Sequence, residues 1–268
     1  MLDRELPGFD SFYFAACGYR HKVYQLGDGS RPGVMVIQEL PGILPETLEF
    51  AQRLHRDGFT VYMPHLFGVV NRKGGDTVKN LAKMCVSFEF RLLATRRKSP
   101  VADWLRALAR RMNEECGGPV AVIGMCFTGS FALAMMMDET IAAPVICQPG
   151  HIDGMFTRDQ RGSLGVTESE IKASVARSEK ENIPVMGFRF THDVMCPKAR
   201  FDYLADLFNE RFRRFEIDSS LFNRHRIPLK AHSVFTADYV DAPDHPTRKA
   251  YETLVDFLNE RLVSGANV

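Results

Sequence analysis

Residues 119–129 read Pro119-Val-Ala-Val-Ile-Gly124-Met-Cys126-Phe-Thr-Gly129. The run from Val120 to Ile123 is continuously apolar and rich in β-branched residues, which predicts a strand buried on both faces. A mostly apolar stretch, 127–138, follows at once and reads as a helix. Between the two, Cys126 has a small residue two positions before it (Gly124) and another two positions after it (Thr128). Small flanking residues permit a strained strand-to-helix turn that pushes one side chain outward. A helix starting there directs its N-terminus at the sulfur, which favours thiolate over thiol, and offers its first N–H groups to an oxyanion. The alternative for a lone cysteine in apolar sequence is a small buried core residue, and Cys147, mid-strand with no such turn, is read that way.

Outward from this stretch the chain alternates strands and helices. Two short strands open it, around 12–16 and 22–25, with Gly18 and Asp28-Gly29 as turns. Residues 33–38 form a second apolar strand. A helix over 45–57 follows, with Leu48, Ala51 and Leu54 on one face and Gly58 as its stop. A strand over 59–63 comes next, then helices over 76–95 and 101–115. Beyond 138, strands are expected over 141–147, 184–190 and 227–231, and helices over 168–179, 197–212 and 246–262. Strands alternating with helices of this length imply right-handed crossovers and an α/β, doubly wound, mostly parallel sheet with helices on both faces. No linker rich in Pro, Gly or Ser interrupts the chain, so residues 1–268 are expected to form a single domain.

Composition narrows the functional classes. At 45% hydrophobic and 25% charged residues over 268 positions, the chain can bury a sizeable core. A net charge of +1 gives no electrostatic reason to expect nucleic acid or an anionic membrane as partner. The first twenty residues carry acidic residues where a signal peptide would be basic, and the apolar run there is too short to span a bilayer. Six cysteines lie far apart with no C-x-x-C pair, which argues against a disulfide framework or structural zinc. Together these predict a thiol-reduced cytoplasmic protein, monomeric or a small homo-oligomer.

In a doubly wound sheet ligands bind beyond the carboxyl ends of the strands, so the residues just after each strand matter most. After 184–190 stands Thr191-His-Asp193, and after 227–231 stands His232. Alone, Asp193 fits a turn or helix cap, and a lone His fits a surface role. In order they read nucleophile, acid, base, each following a late strand, which is the chain order of α/β-hydrolases. A cysteine nucleophile needs a base, and the base needs an orienting acid. His192 is the lesser candidate for base because adjacent loop side chains diverge. Neither His192 nor Cys196 has a metal-ligand spacing. His151, after the 141–147 strand, is a candidate substrate contact, with Arg91 and Tyr62 weaker ones.

Four segments together resemble the dienelactone hydrolase family: Gln38-Glu39-Leu-Pro-Gly42, Gly124-Met-Cys126-Phe-Thr-Gly129, Asp193 four residues before Pro197, and Ala231-His232-Ser233. The resemblance runs from about Gly33 to the final helix. It implies an α/β-hydrolase fold and cysteine-dependent cleavage of small esters or lactones, with no metal or organic cofactor. It also implies that Glu39 holds the resting Cys126 thiol until substrate displaces it, and that the oxyanion rests on the backbone N–H groups of Leu40 and Phe127. From position alone, Glu39 would serve to favour the N-terminus of the helix that follows.

Three positions depart from the family pattern. Thr128 stands where Gly is usual, Ala231 replaces the Gly before the His, and Thr236 stands where an Arg would grip a substrate carboxylate. Without that cation dienelactone itself is not the expected substrate. Residues 210–226, with Arg211, Arg213, Arg214 and Arg224, read as a charged solvated insert. The altered positions leave a second reading open, a non-catalytic binding or redox-sensing protein on a hydrolase scaffold.

Overall fold

The computed structural model describes residues 5–71, 100–150, 164 and 166–264. Its eight-stranded sheet is built from β1 (Asp10–Ala16), β2 (Tyr19–Leu26), β3 (Gly33–Ile37), β5 (Thr60–His65), β7 (Val120–Met125), β8 (Ile141–Cys147), β9 (Val185–Phe190) and β10 (Phe212–Ile217). The spatial order is β1-β2-β5-β3-β7-β8-β9-β10. From β5 to β10 every neighbouring pair is parallel, and β1 and β2 add an antiparallel edge. Two-residue strands β4 (Gly42–Ile43) and β6 (Val69–Val70) pair separately. Every residue of β3, β5, β7 and β9 is buried, as the unbroken apolar runs of β3 and β7 require, and the burial extends to Thr60 and His65 of β5 and Arg189 of β9.

Helices cover both faces. On one lie α1 (Pro45–Arg56) and α6 (Pro246–Leu262), packing Phe50, Leu54, Leu254 and Phe257 onto Val34, Val36, Ile123 and Val145. On the other lie α2 (Pro100–Cys116), α3 (Phe131–Met135), α4 (Glu168–Glu181) and α5 (Lys198–Phe208), with Trp104, Leu108, Leu133 and Phe201 against Met35, Val122 and Ile146. This is the expected doubly wound α/β fold, with β7 near the centre of the sheet.

Three expectations are corrected. Residues 227–231 are not a strand. Pro228 has no N–H to give a ladder, and Leu229 is exposed, so nothing there alternates against a neighbour. The last strand is instead β10, inside the stretch read as a solvated insert and as the end of a helix. Its charges are satisfied by neighbours: Arg213 pairs with Glu260 and Arg214 with Asp202 from the flanking helices, and Glu216 pairs with Arg189 directly across the ladder on β9. Gly187 of β9 leaves room for the Phe212 ring, from which a Cβ there would stand 2.6 Å. The expected helix over 127–138 is only a three-residue 3-10 turn, Cys126–Thr128, followed by the five-residue α3. The segment 76–95, His151 and Arg91 lie outside the described residues.

Candidate active site

The site assembles at the carboxyl edge of the parallel strands. β7 delivers Cys126 with φ +52°, the left-handed conformation expected at a strained elbow. Gly124 cannot carry a side chain, because a Cβ there would lie 2.4 Å from the carbonyl oxygen of Thr128. At Gly129 a Cβ would come within 2.8 Å of Pro149. The two glycines that bracket the elbow are therefore steric requirements of the turn.

Thr128, the departure from the family's glycine, has a defined job. Its fully buried hydroxyl accepts from the Met125 N–H at 3.1 Å. The same hydroxyl lies 2.9 Å from the Met125 carbonyl and 3.1 Å from those of Ile37 and Gln38. It thus ties the elbow to the end of β3, directly before Glu39. Thr128→Val keeps the shape and strands the Met125 N–H, which costs about 1–3 kcal/mol. Urea unfolding of the two proteins is expected to show the variant's midpoint lowered at unchanged m-value.

The structure brings Asp193 and His232 together. His232 Nδ1 lies 2.6 Å from Asp193 Oδ2, and the aspartate side chain is 2% exposed. Asp193 Oδ1 accepts from the N–H groups of Met195 and Cys196 at 2.9 and 3.2 Å. It is thus both the loop cap its sequence context suggested and the partner of the histidine. The adjacent His192 points outward and bonds Thr191, so it is not at the site. Although His232 follows no strand, its loop is held firmly. Asp238 Oδ2 accepts from the N–H groups of His232 and Ser233 at 2.8 and 2.9 Å. Arg53 of α1 donates to the Phe235 carbonyl at 2.5 Å and stacks on Tyr239.

Glu39 completes the cluster. It is buried, accepts from Ser233 Oγ at 2.9 Å and from the Thr236 hydroxyl, and has Gln148 Nε2 at 3.4 Å. One sulfur, oxygen or nitrogen atom each of Cys126, Glu39 and His232 lie within 4.8 Å of one another, the one such group of potential metal ligands among the described residues. Thr236, the position lacking the family's Arg, therefore serves the glutamate. Leu40, half-buried, lies three residues beyond the end of β3, and Phe127, buried, is the second residue of the 3-10 turn that begins at Cys126. Gly150 lies against Cys126, donating its N–H to the Cys126 carbonyl at 2.9 Å.

Charge in the cluster is coupled. Burial opposes a proton on His232, but the negative charge available at Cys126 and the bond to Asp193 outweigh it, pushing its pKa up to about 11. Protonated His232 is thus held through neutral pH and released as pH rises toward that value. In Cys126→Ala the attraction is gone, so His232 is expected to lose its proton at lower pH, as read by NMR titration of its ring. An unchanged titration would mean that the sulfur and the ring do not interact. Cys147 behaves as the core residue its sequence context indicated, for burial and then Glu39 push its thiol well up.

Arg200 went unnoticed in the sequence. It is 1% exposed and donates to the carbonyls of Pro149 and Met195, so one guanidinium fastens the loop beside Cys126 to the loop carrying Asp193. Asp238 went unnoticed likewise, and the bonds of Gln148 and Ser233 to Glu39 were not foreseen. Tyr62 belongs to the packing of β5 against α2, its hydroxyl donating to Glu115 at 2.9 Å, and it is not at the site.

A parallel sheet with a Cys elbow at its centre and an Asp–His pair on the loops beyond it defines an α/β-hydrolase. The chain matches the dienelactone hydrolase family over residues 22–262 and belongs to that family. No curated protein matches it. Among solved structures, it is similar to a Klebsiella pneumoniae protein assigned as a dienelactone hydrolase, with a TM-score of 0.61 at 15% identity over 94% of this chain and 99% of that one. An esterase of Pyrococcus furiosus gives 0.59 at 11% identity, over 94% and 92% of the two chains. A dienelactone hydrolase-like promiscuous phosphotriesterase from metagenomic libraries gives 0.57 at 15% identity, over 95% and 99%. At these identities the neighbours establish the fold. No helix among the described residues is long and apolar enough to cross a membrane.

Proposed function

We propose that the protein hydrolyses small esters or lactones through an acyl-cysteine intermediate on Cys126. The observation that carries this reading is the Glu39–Cys126–His232 cluster with Asp193 at 2.6 Å behind the imidazole. His232, oriented by Asp193, holds the proton that the thiol has given up, and the sulfur attacks the carbonyl carbon. The oxyanion rests on the N–H groups of Leu40 and Phe127, a pair whose members are each worth about 10²–10³ in rate. Protonated His232 then gives its proton to the departing alcohol, or to the ring oxygen of a lactone. Water, activated by the same imidazole, frees the acid and restores the thiol. Glu39, held by Ser233 and Thr236, occupies the thiol's side of the cleft in the resting state and yields it to substrate.

With Thr236 committed to Glu39, no cation stands at that position to grip a carboxylate, so neutral esters and lactones are the favoured substrates. A panel of neutral and carboxylate-bearing esters beside iodoacetamide labelling tests the reading. Turnover of the neutral members, abolished in step with Cys126 alkylation, is the expected result. Ready alkylation with no turnover of any ester would favour the binding or redox-sensing alternative.

A further inference from the structure

The same cluster has the make-up of a zinc site. Tetrahedral zinc takes thiolate sulfur at about 2.3 Å and nitrogen or oxygen at about 2.0–2.2 Å, which sets ligand–ligand distances of roughly 3.3–3.7 Å. The three donor atoms of Glu39, Cys126 and His232 already lie within 4.8 Å of one another, so they need converge by at most about 1.5 Å. A thiolate and a carboxylate supply two negative charges, which balance a divalent cation. Three protein ligands leave a fourth position open.

The surroundings of the ligands match as well. Zinc-binding histidines almost always give their second ring nitrogen to a carboxylate or carbonyl, which fixes the tautomer. Here Asp193 takes Nδ1, and the buried Nε2 has no nitrogen or oxygen hydrogen-bond partner among the described residues. Ligating carboxylates are themselves hydrogen-bonded. Glu39 receives the Ser233 hydroxyl and the Gln148 amide on Oε2 and the Thr236 hydroxyl on Oε1, and Oε1, with that one donor among the described residues, retains a lone pair for a metal.

We infer that Glu39, Cys126 and His232 form a binding site for zinc or a similarly thiophilic divalent cation, whose occupancy shuts down the cysteine by taking the thiol and its base together. Binding replaces the one proton held between Cys126 and His232 with bonds from sulfur and nitrogen to the metal, and that proton passes to solvent. Neither sulfur nor metal changes oxidation state, and a chelator reverses the step.

Competition with a chromogenic chelator tests this in the full, tag-free chain, using zinc ion alone as the probe. The expected result is one zinc bound per chain, with one proton released in weak buffer. Binding should be lost in Cys126→Ala and weakened by about 10–100-fold in Asp193→Asn, which removes the charge behind the histidine. Cys17→Ser, which removes an exposed cysteine, should bind as tightly as the wild type. Circular dichroism of each variant reports whether it is folded, and Cys126→Ser serves should Cys126→Ala fail to fold. No competition by the wild type, or equal binding by a folded Cys126 variant, would overturn the site. Because binding is read without substrate, its failure is distinct from failure of ester turnover. Zinc binding without turnover would leave the site standing and remove the hydrolase reading.

Discussion

Cys126→Ala is expected to lower kcat for p-nitrophenyl acetate by at least about 10³-fold. Removing the nucleophile removes the covalent route and leaves only what the oxyanion donors and substrate binding supply, a residue of catalysis that persists in other triad enzymes. The fold should survive. Cys126 is one small side chain at 5% exposure, and the elbow around it is set by Gly124, Thr128 and Gly129. Steady-state kinetics with a circular dichroism control would measure the effect. Full activity in both Cys126→Ala and Cys126→Ser would remove the cysteine from the mechanism.

The second large effect falls on Asp193. Asp193→Asn keeps an acceptor for the Met195 and Cys196 N–H groups, so the loop stays capped. What it loses is the charge that stabilises imidazolium and the acceptor that selects the tautomer of His232. The corresponding change in a serine triad costs about 10⁴ in kcat, and a loss of about 10³–10⁴-fold is expected here. Because the variant changes orientation and charge rather than substrate contact, KM should move little. A fall confined to KM would place Asp193 in substrate binding instead.

Much of the framework was legible because burial on both faces writes itself into sequence. The apolar runs at 33–38, 119–124 and 141–147 became β3, β7 and β8 nearly residue for residue, and Pro246 marked the start of α6. The elbow was legible for a different reason: close backbone approach at Gly124 and Gly129 leaves no room for a Cβ. Asp193 and His232 were found by their order along the chain, although the strand thought to precede His232 does not exist. β10 was hidden because an edge strand can carry Arg213 and Arg214 when Glu260 and Asp202 lie alongside. The helix after the elbow was overextended because Phe131-Ala-Leu-Ala-Met135 has good helix formers while the turns on either side are set by tertiary packing. The bonding roles of Arg200, Gln148, Ser233 and Thr236 left no local signal. Their bonds to Pro149 and Glu39 span dozens to nearly two hundred residues of chain, and a spacing rule sees only neighbours.

What the sequence and the site have in common is the claim that Cys126 becomes acylated. The direct measurement is rapid acid quenching during turnover of p-nitrophenyl acetate, followed by intact-mass and peptide mass spectrometry. A transient gain of one acetyl group per chain is expected, located on the peptide carrying Cys126 and absent from Cys126→Ala. Turnover at the wild-type rate with no acetyl on Cys126, or with acetyl on another residue, would contradict it.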